Sequence, residues 1–151
     1  MIVLDTDHLG EFQKGTTPAA GRLRTRLEAC DDPVATTIVN LEEVMRGWLA
    51  AIHRESDPRR QIRGYQQLQM LFHFFGAWQI LPWDEGAAQV FGRLRAAKLR
   101  VGTMDLKIGS IALCRSATLL TRNLRDFQSI PGPRERGPAP APRQRLLLGA
   151  R

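Results

Sequence analysis

Four carboxylates in this chain stand where the local sequence changes character: Asp5, Glu43, Asp105 and Asp126. Asp5 ends the apolar run MIVL. Glu43 opens the helical pattern that follows TTIV. Asp105 lies just inside the pattern that starts after Gly102, and Asp126 follows the strand-like ATLLT. Acids brought together with no lysine nearby repel one another, so such a site stays ionised at neutral pH only around divalent cations. An all-oxygen donor set completed by water suits Mg²⁺ or Mn²⁺ rather than zinc. Each acid also has an ordinary explanation. Asn40 and Glu43 have capping-box spacing. Asp105, two residues after Thr103, would gain from a helix dipole. Asp126 would serve as a turn residue before Pro131-Gly132. Asp5 is the hardest to explain away, because a strand-end carboxylate gains nothing from a dipole.

The elements that must position these acids follow from periodicity. MIVLD predicts a short buried strand. Helix and loop extend to about Cys30, with Leu23, Leu27 and Cys30 at helical spacing. PVATTIV predicts a second strand, and NLEEVMRGWLAAIHRE a helix. Asp57-Pro58 starts another helix, a capping side chain followed by proline at the first position. Ile62, Tyr65, Leu68, Phe72 and Phe75 form its expected inward stripe, and Gly76 its end. These two helices predict a hairpin. WQILPW predicts a third strand. Asp84 caps a helix with Ala87, Val90, Phe91 and Leu94 inward, Thr103 caps the next, and ATLLTRN predicts a fourth strand. Strands alternating with helices predict an α/β fold with a parallel sheet covered on both faces. In such sheets, ligands bind beyond the carboxyl ends of the strands, where all four acids would fall together.

The 151 residues fit one domain, and 43% hydrophobic residues supply a real core. No apolar run approaches the roughly eighteen residues of a membrane span, and MIVL meets an acid without the basic start of a signal peptide. A soluble, cytoplasmic protein is expected. Cys30 and Cys114 form neither a disulfide framework nor a metal-ligand spacing. His8, His53 and His73 are scattered. The net charge of +7 suits a polyanionic partner. Much of it lies after Gly132, where PRERGPAPAPRQRLLLGAR carries five arginines against one glutamate. Arg22, Arg24 and Arg26 form one local cluster, and Arg54, Arg59, Arg60 and Arg63 another. Both could track phosphates or be solvated helix faces. A domain over 1–132 and a Pro/Arg-rich tail over 133–151 are expected.

With the acids in place, the chain resembles the PIN-domain family, and within it the VapC-type toxin ribonucleases. MIVLDTDHL, TTIVNLEEVMRG, GTMDLKIGSIAL and ATLLTRNLRDFQSIPG carry the resemblance, in family order and with family-like gaps. It implies a three-layer α/β/α sandwich around a parallel sheet. It implies a Mg²⁺- or Mn²⁺-dependent endoribonuclease, restrained by a cognate antitoxin and commonly a homodimer. The family's acids fall on Asp5, Glu43, Asp105 and Asp126, with Thr121 and Asn123 in support. Asp5 and Asp105 would bind the cation directly, and Glu43 and Asp126 directly or through water. The family usually carries Asn at the position of Asp7, which implies a local hydrogen-bonding role there. Arg46, Arg122 and Arg125 adjoin the acids and are candidates to hold RNA phosphates. The tail departs from the family, whose chains commonly end in a short strand and an acidic, Trp-containing segment. Two rival readings remain open. One is a weakened domain that only binds RNA or antitoxin. The other is a haloacid dehalogenase-like phosphohydrolase, in which Asp5 would be a nucleophile and Asp7 an acid.

Overall fold

The computed structural model describes residues 1–123, Phe127, Ser129 and Ile130. The expected boundary at residue 132 and the tail after it lie outside the described residues. Four strands form the sheet: β1 (Ile2–Leu4), β2 (Val34–Thr37), β3 (Gln79–Leu81) and β4 (Thr118–Leu120). Six helices connect and cover them: α1 (Thr6–Lys14), α2 (Pro18–Glu28), α3 (Ile38–Arg54), α4 (Pro58–Gly76), α5 (Glu85–Ala96) and α6 (Thr103–Cys114). The sheet order is β3-β2-β1-β4 and every pairing is parallel. The expected α/β architecture is therefore present among the described residues.

The central strand β1 is buried throughout, as a strand with helices on both faces must be. Successive side chains point to opposite faces. Val3 joins the core under α5 and α6, with Leu94, Leu106 and Ile111. Ile2 and Leu4 join the core on the other face, with Leu9, Leu71 and Phe75. Helices α1, α3 and α4 supply that second layer. Cys30 and Cys114 are free, half-buried thiols.

The helical hairpin of α3 and α4 forms, but α4 is rotated from its expected orientation. Ile62, Tyr65 and Phe72 are exposed, Phe72 by 65%. Leu71 and Phe75 are buried instead. Gly64 explains the difference. A Cβ there would stand 2.5 Å from Cγ1 of Ile52 on α3, so Gly64, Leu68, Leu71 and Phe75 form the inward line. A stripe that includes glycine is invisible to an apolar count. Alanine forms helix better than glycine by about 1 kcal/mol, yet forcing an atom into a packed contact costs about 1–3 kcal/mol. Gly64→Ala is expected to lower stability by about 1 kcal/mol net. A urea midpoint at or above that of the wild type would show that the hairpin yields there.

Several caps follow the sequence. Asp57 accepts from Arg59 N at 2.9 Å, with Pro58 at the first position of α4. Asp84 accepts from Ala87 N at 3.0 Å and bridges to Arg115 at 2.7 Å, tying α5 to α6. Two others differ. Gly102, not Thr103, is the N-cap of α6, and no side chain caps it. Thr37, not Asn40, is the N-cap of α3, because β2 stops two residues earlier than PVATTIV suggests and Asn40 becomes the third helical residue.

Candidate active site

β1, β2 and β4 run parallel, and the residues that follow their carboxyl ends carry or contact Asp5, Glu43 and Asp105. β1 stops at Leu4 and α1 begins at Thr6, so Asp5 is an N-cap. This corrects the expectation that it gains nothing from a helix. Its Oδ1 accepts from His8 N at 3.0 Å, satisfying an amide at the helix start. The His8 ring folds back as well, with Nδ1 2.8 Å from the same oxygen. Oδ2 accepts from Arg122 N at 3.3 Å, and the Thr121 hydroxyl adds another bond. Burial alone would push the Asp5 carboxyl up. Bonds from the His8 ring, Thr121 and the His8 amide outweigh it and hold the group below the ordinary carboxylate range. Asp5 is therefore ionised in the folded protein at neutral pH.

Glu43 lies one and a half turns into α3, away from the helix start. The capping box belongs to Thr37 and Asn40, which frees Glu43 from that role. Glu43 instead accepts from the hydroxyl of Thr6, the residue after Asp5. Thr6 in turn accepts from Asn40 Nδ2 at 3.0 Å. Asn40 is fully buried. Its Oδ1 accepts from Thr37 N at 3.0 Å, Thr37 Oγ1 at 2.6 Å and Thr36 Oγ1 at 3.2 Å. These three donors fix the orientation of the amide. A polar chain thus runs from β2 through Asn40 and Thr6 to Glu43.

Asp105 lies in the first turn of α6 and accepts from Asn123 Nδ2 at 3.1 Å. Asn123 N donates to Thr121 Oγ1 at 2.9 Å. Thr121 and Asn123 therefore connect Asp105 to Asp5 through the segment leaving β4. Asp126 and Arg125 lie outside the described residues. Asp7 is exposed in the first turn of α1, where the positive helix end favours an acid. Arg122 is half-exposed and its Nη1 lies 3.4 Å from Glu11 Oε1. Arg46 is exposed and pairs with Glu42 at 3.5 Å.

Sequence reasoning missed three contributors. His8 stands three residues after an aspartate that caps a helix, a spacing that would have revealed it had the helix start been placed correctly. Asn40 was read as a cap and not as a buried relay. A groove of about 490 Å³ also opens along α3, lined by Ile38, Leu41, Met45, Leu49 and Trp83, with Arg46 and, from α6, Lys107 also lining it. It is assembled from separate elements, and no local pattern marks it.

Among the described residues, no three His, Cys, Asp or Glu side chains come close enough to hold a metal ion together. Asp5, Glu43 and Asp105 are instead linked in pairs through Thr6, Thr121 and Asn123. Such a set fits a cation that keeps several waters and takes only one or two carboxylates directly. That is the habit of Mg²⁺, which loses its water reluctantly. A closed cage of the kind zinc prefers would not fit.

No family model matches the chain. Ribonuclease VapC5 of Mycobacterium tuberculosis is 32% identical over 133 residues, covering 78% of this chain and 92% of the relative. The DNA-bound VapBC of Salmonella typhimurium has a TM-score of 0.64 at 26% identity, covering 87% of this chain and 92% of that one. A toxin–antitoxin complex from Klebsiella pneumoniae shares the fold, with a TM-score of 0.62 at 24% identity and coverage of 87% and 94%. On the likeness to VapC5, which spans most of both chains, this protein belongs to the VapC-type ribonuclease toxins of the PIN-domain family.

Proposed function

We propose that this chain is a Mg²⁺- or Mn²⁺-dependent endoribonuclease, the toxin of a type II toxin–antitoxin pair. The observation that carries the reading is the linkage of Asp5, Glu43 and Asp105 at the carboxyl edge of a parallel sheet. The phosphohydrolase reading falls with family membership. Asp5 and Asp105 hold the cation directly, and Glu43 and Asp126 hold it directly or through water. When bound, the cation screens the phosphodiester charge and makes a neighbouring water acidic enough to attack phosphorus. The His8 and Thr121 bonds keep Asp5 ionised. Thr6 aims Glu43, and Asn123 aims Asp105. Arg46, Arg122 and Arg125 contact RNA phosphates, with Arg122 and Arg46 exchanging Glu11 and Glu42 for the backbone.

The similar structure from Klebsiella pneumoniae is a toxin–antitoxin complex, which supports a cognate antitoxin here; a homodimer and action in the cytoplasm belong to the same reading. Among the described residues no helix is long and apolar enough to cross a membrane. Metal removal tests the chemistry. Cleavage of a single-stranded RNA by the purified chain is expected to stop in EDTA and return with excess Mg²⁺ or Mn²⁺. Cleavage that persists after exhaustive chelation would refute the metal-dependent reading. Metal-restored binding without cleavage would favour the weakened domain that only binds.

A further inference from the structure

We propose that His8 is a positioning residue that fixes the Asp5 carboxylate, occupying Oδ1 so that Oδ2 is presented to the cation. The inference rests on Asp5 being a metal ligand. His8 is the third residue of α1, the place from which a capping-box side chain reaches back to the helix start. Here the ring reaches the capping carboxylate itself. The His8 amide at 3.0 Å and Nδ1 at 2.8 Å converge on one oxygen, Oδ1. A carboxylate oxygen offers about two lone-pair directions, so these two donors fill it. Oδ2 accepts from the Arg122 amide at a longer 3.3 Å, and the Thr121 hydroxyl also bonds the carboxylate.

Two further observations make the ring more than filler. His8 is buried, at 8% exposure, next to the fully apolar Leu9. An aliphatic side chain would pack there without a polar atom to desolvate. The bond also defines the tautomer: an ionised carboxylate can only accept, so Nδ1 carries the proton. Partners of this kind, one bond behind a metal ligand, typically change metal affinity by about 10–100-fold when removed.

The test is Mn²⁺ binding by the full-length, metal-free chain, followed through the EPR signal of the free ion. Asp5→Asn is expected to lose at least about tenfold in affinity. His8→Leu, which keeps the backbone cap and removes only the ring donor, is expected to lose about tenfold with its thermal midpoint little changed. His8→Asn restores a side-chain N–H and is expected to recover part of the loss. In the ¹⁵N-labelled wild type, the His8 ring is expected to show a protonated Nδ1, a readout that needs no variant to fold. Wild-type affinity in folded His8→Leu, or a bare Nδ1, would overturn the positioning role while leaving Asp5 as a ligand. No Mn²⁺ binding by the wild type, or wild-type binding by Asp5→Asn, would overturn the metal reading itself and His8 with it.

Discussion

Asp5→Asn is expected to fold like the wild type and to cleave RNA at least about a hundredfold more slowly. The two halves of this expectation have separate causes. Asn and Asp serve about equally as N-caps, so the amide oxygen still accepts from the His8 amide and α1 still starts at Thr6. Stability should stay within about 1 kcal/mol. What disappears is the negative charge that the buried site holds on Asp5. Asp5→Ala should lose both: the cap is worth about 1 kcal/mol, and the His8 ring is left buried without its partner. Single-turnover cleavage and denaturant melts of the two variants separate these contributions. Asp5→Asn cutting within threefold of the wild type would remove Asp5 from the mechanism.

Asn40→Ala is expected to destabilise the fold by about 3 kcal/mol, a large share of the roughly 5–15 kcal/mol a domain has. The substitution strands the Thr37 amide and the Thr36 hydroxyl in places with no water. Each buried group left unsatisfied costs about 1–3 kcal/mol. Loss of the capping box adds to this. The effect reaches the site as well, since Thr6 loses the donor that sets its hydroxyl towards Glu43. Cleavage should therefore fall even at temperatures where the variant is folded. A urea-melt loss below about 1 kcal/mol would mean that the threonines find other partners and the relay is dispensable.

The legibility of the site tracks how local each determinant is. Strand-then-acid at MIVLD and Asp-Pro before α4 are local, and both are legible. The parallel sheet follows from the alternation of strands and helices. The rotation of α4 is not legible, because it depends on Gly64 meeting Ile52, twelve residues earlier and on another helix. The start of α3 is misplaced because Ile38 and Val39 are β-branched and read as strand. A pair of threonines and a buried amide end the strand instead. The same error hid the part played by Asn40. The placement of Asp5 at the end of β1 follows from topology, whereas Thr6, Thr121 and Asn123, which bond Glu43, Asp5 and Asp105, needed coordinates.

The brevity of β1 has a further consequence. Ile2 pairs with Val34 and Thr118, Val3 with Ala35 and Leu119, and Leu4 with Leu120. The Asp5 amide then donates to Leu120 O at 3.1 Å. The strand works as a ruler one acid long. Adding or deleting one residue within 2–4 forces a choice. Keeping Val3 under α5 and α6 carries the carboxylate off its helix. Keeping the carboxylate in place turns every apolar side chain of the strand to the wrong layer. In β1 the count of residues and the placement of the Asp5 carboxylate are inherited together.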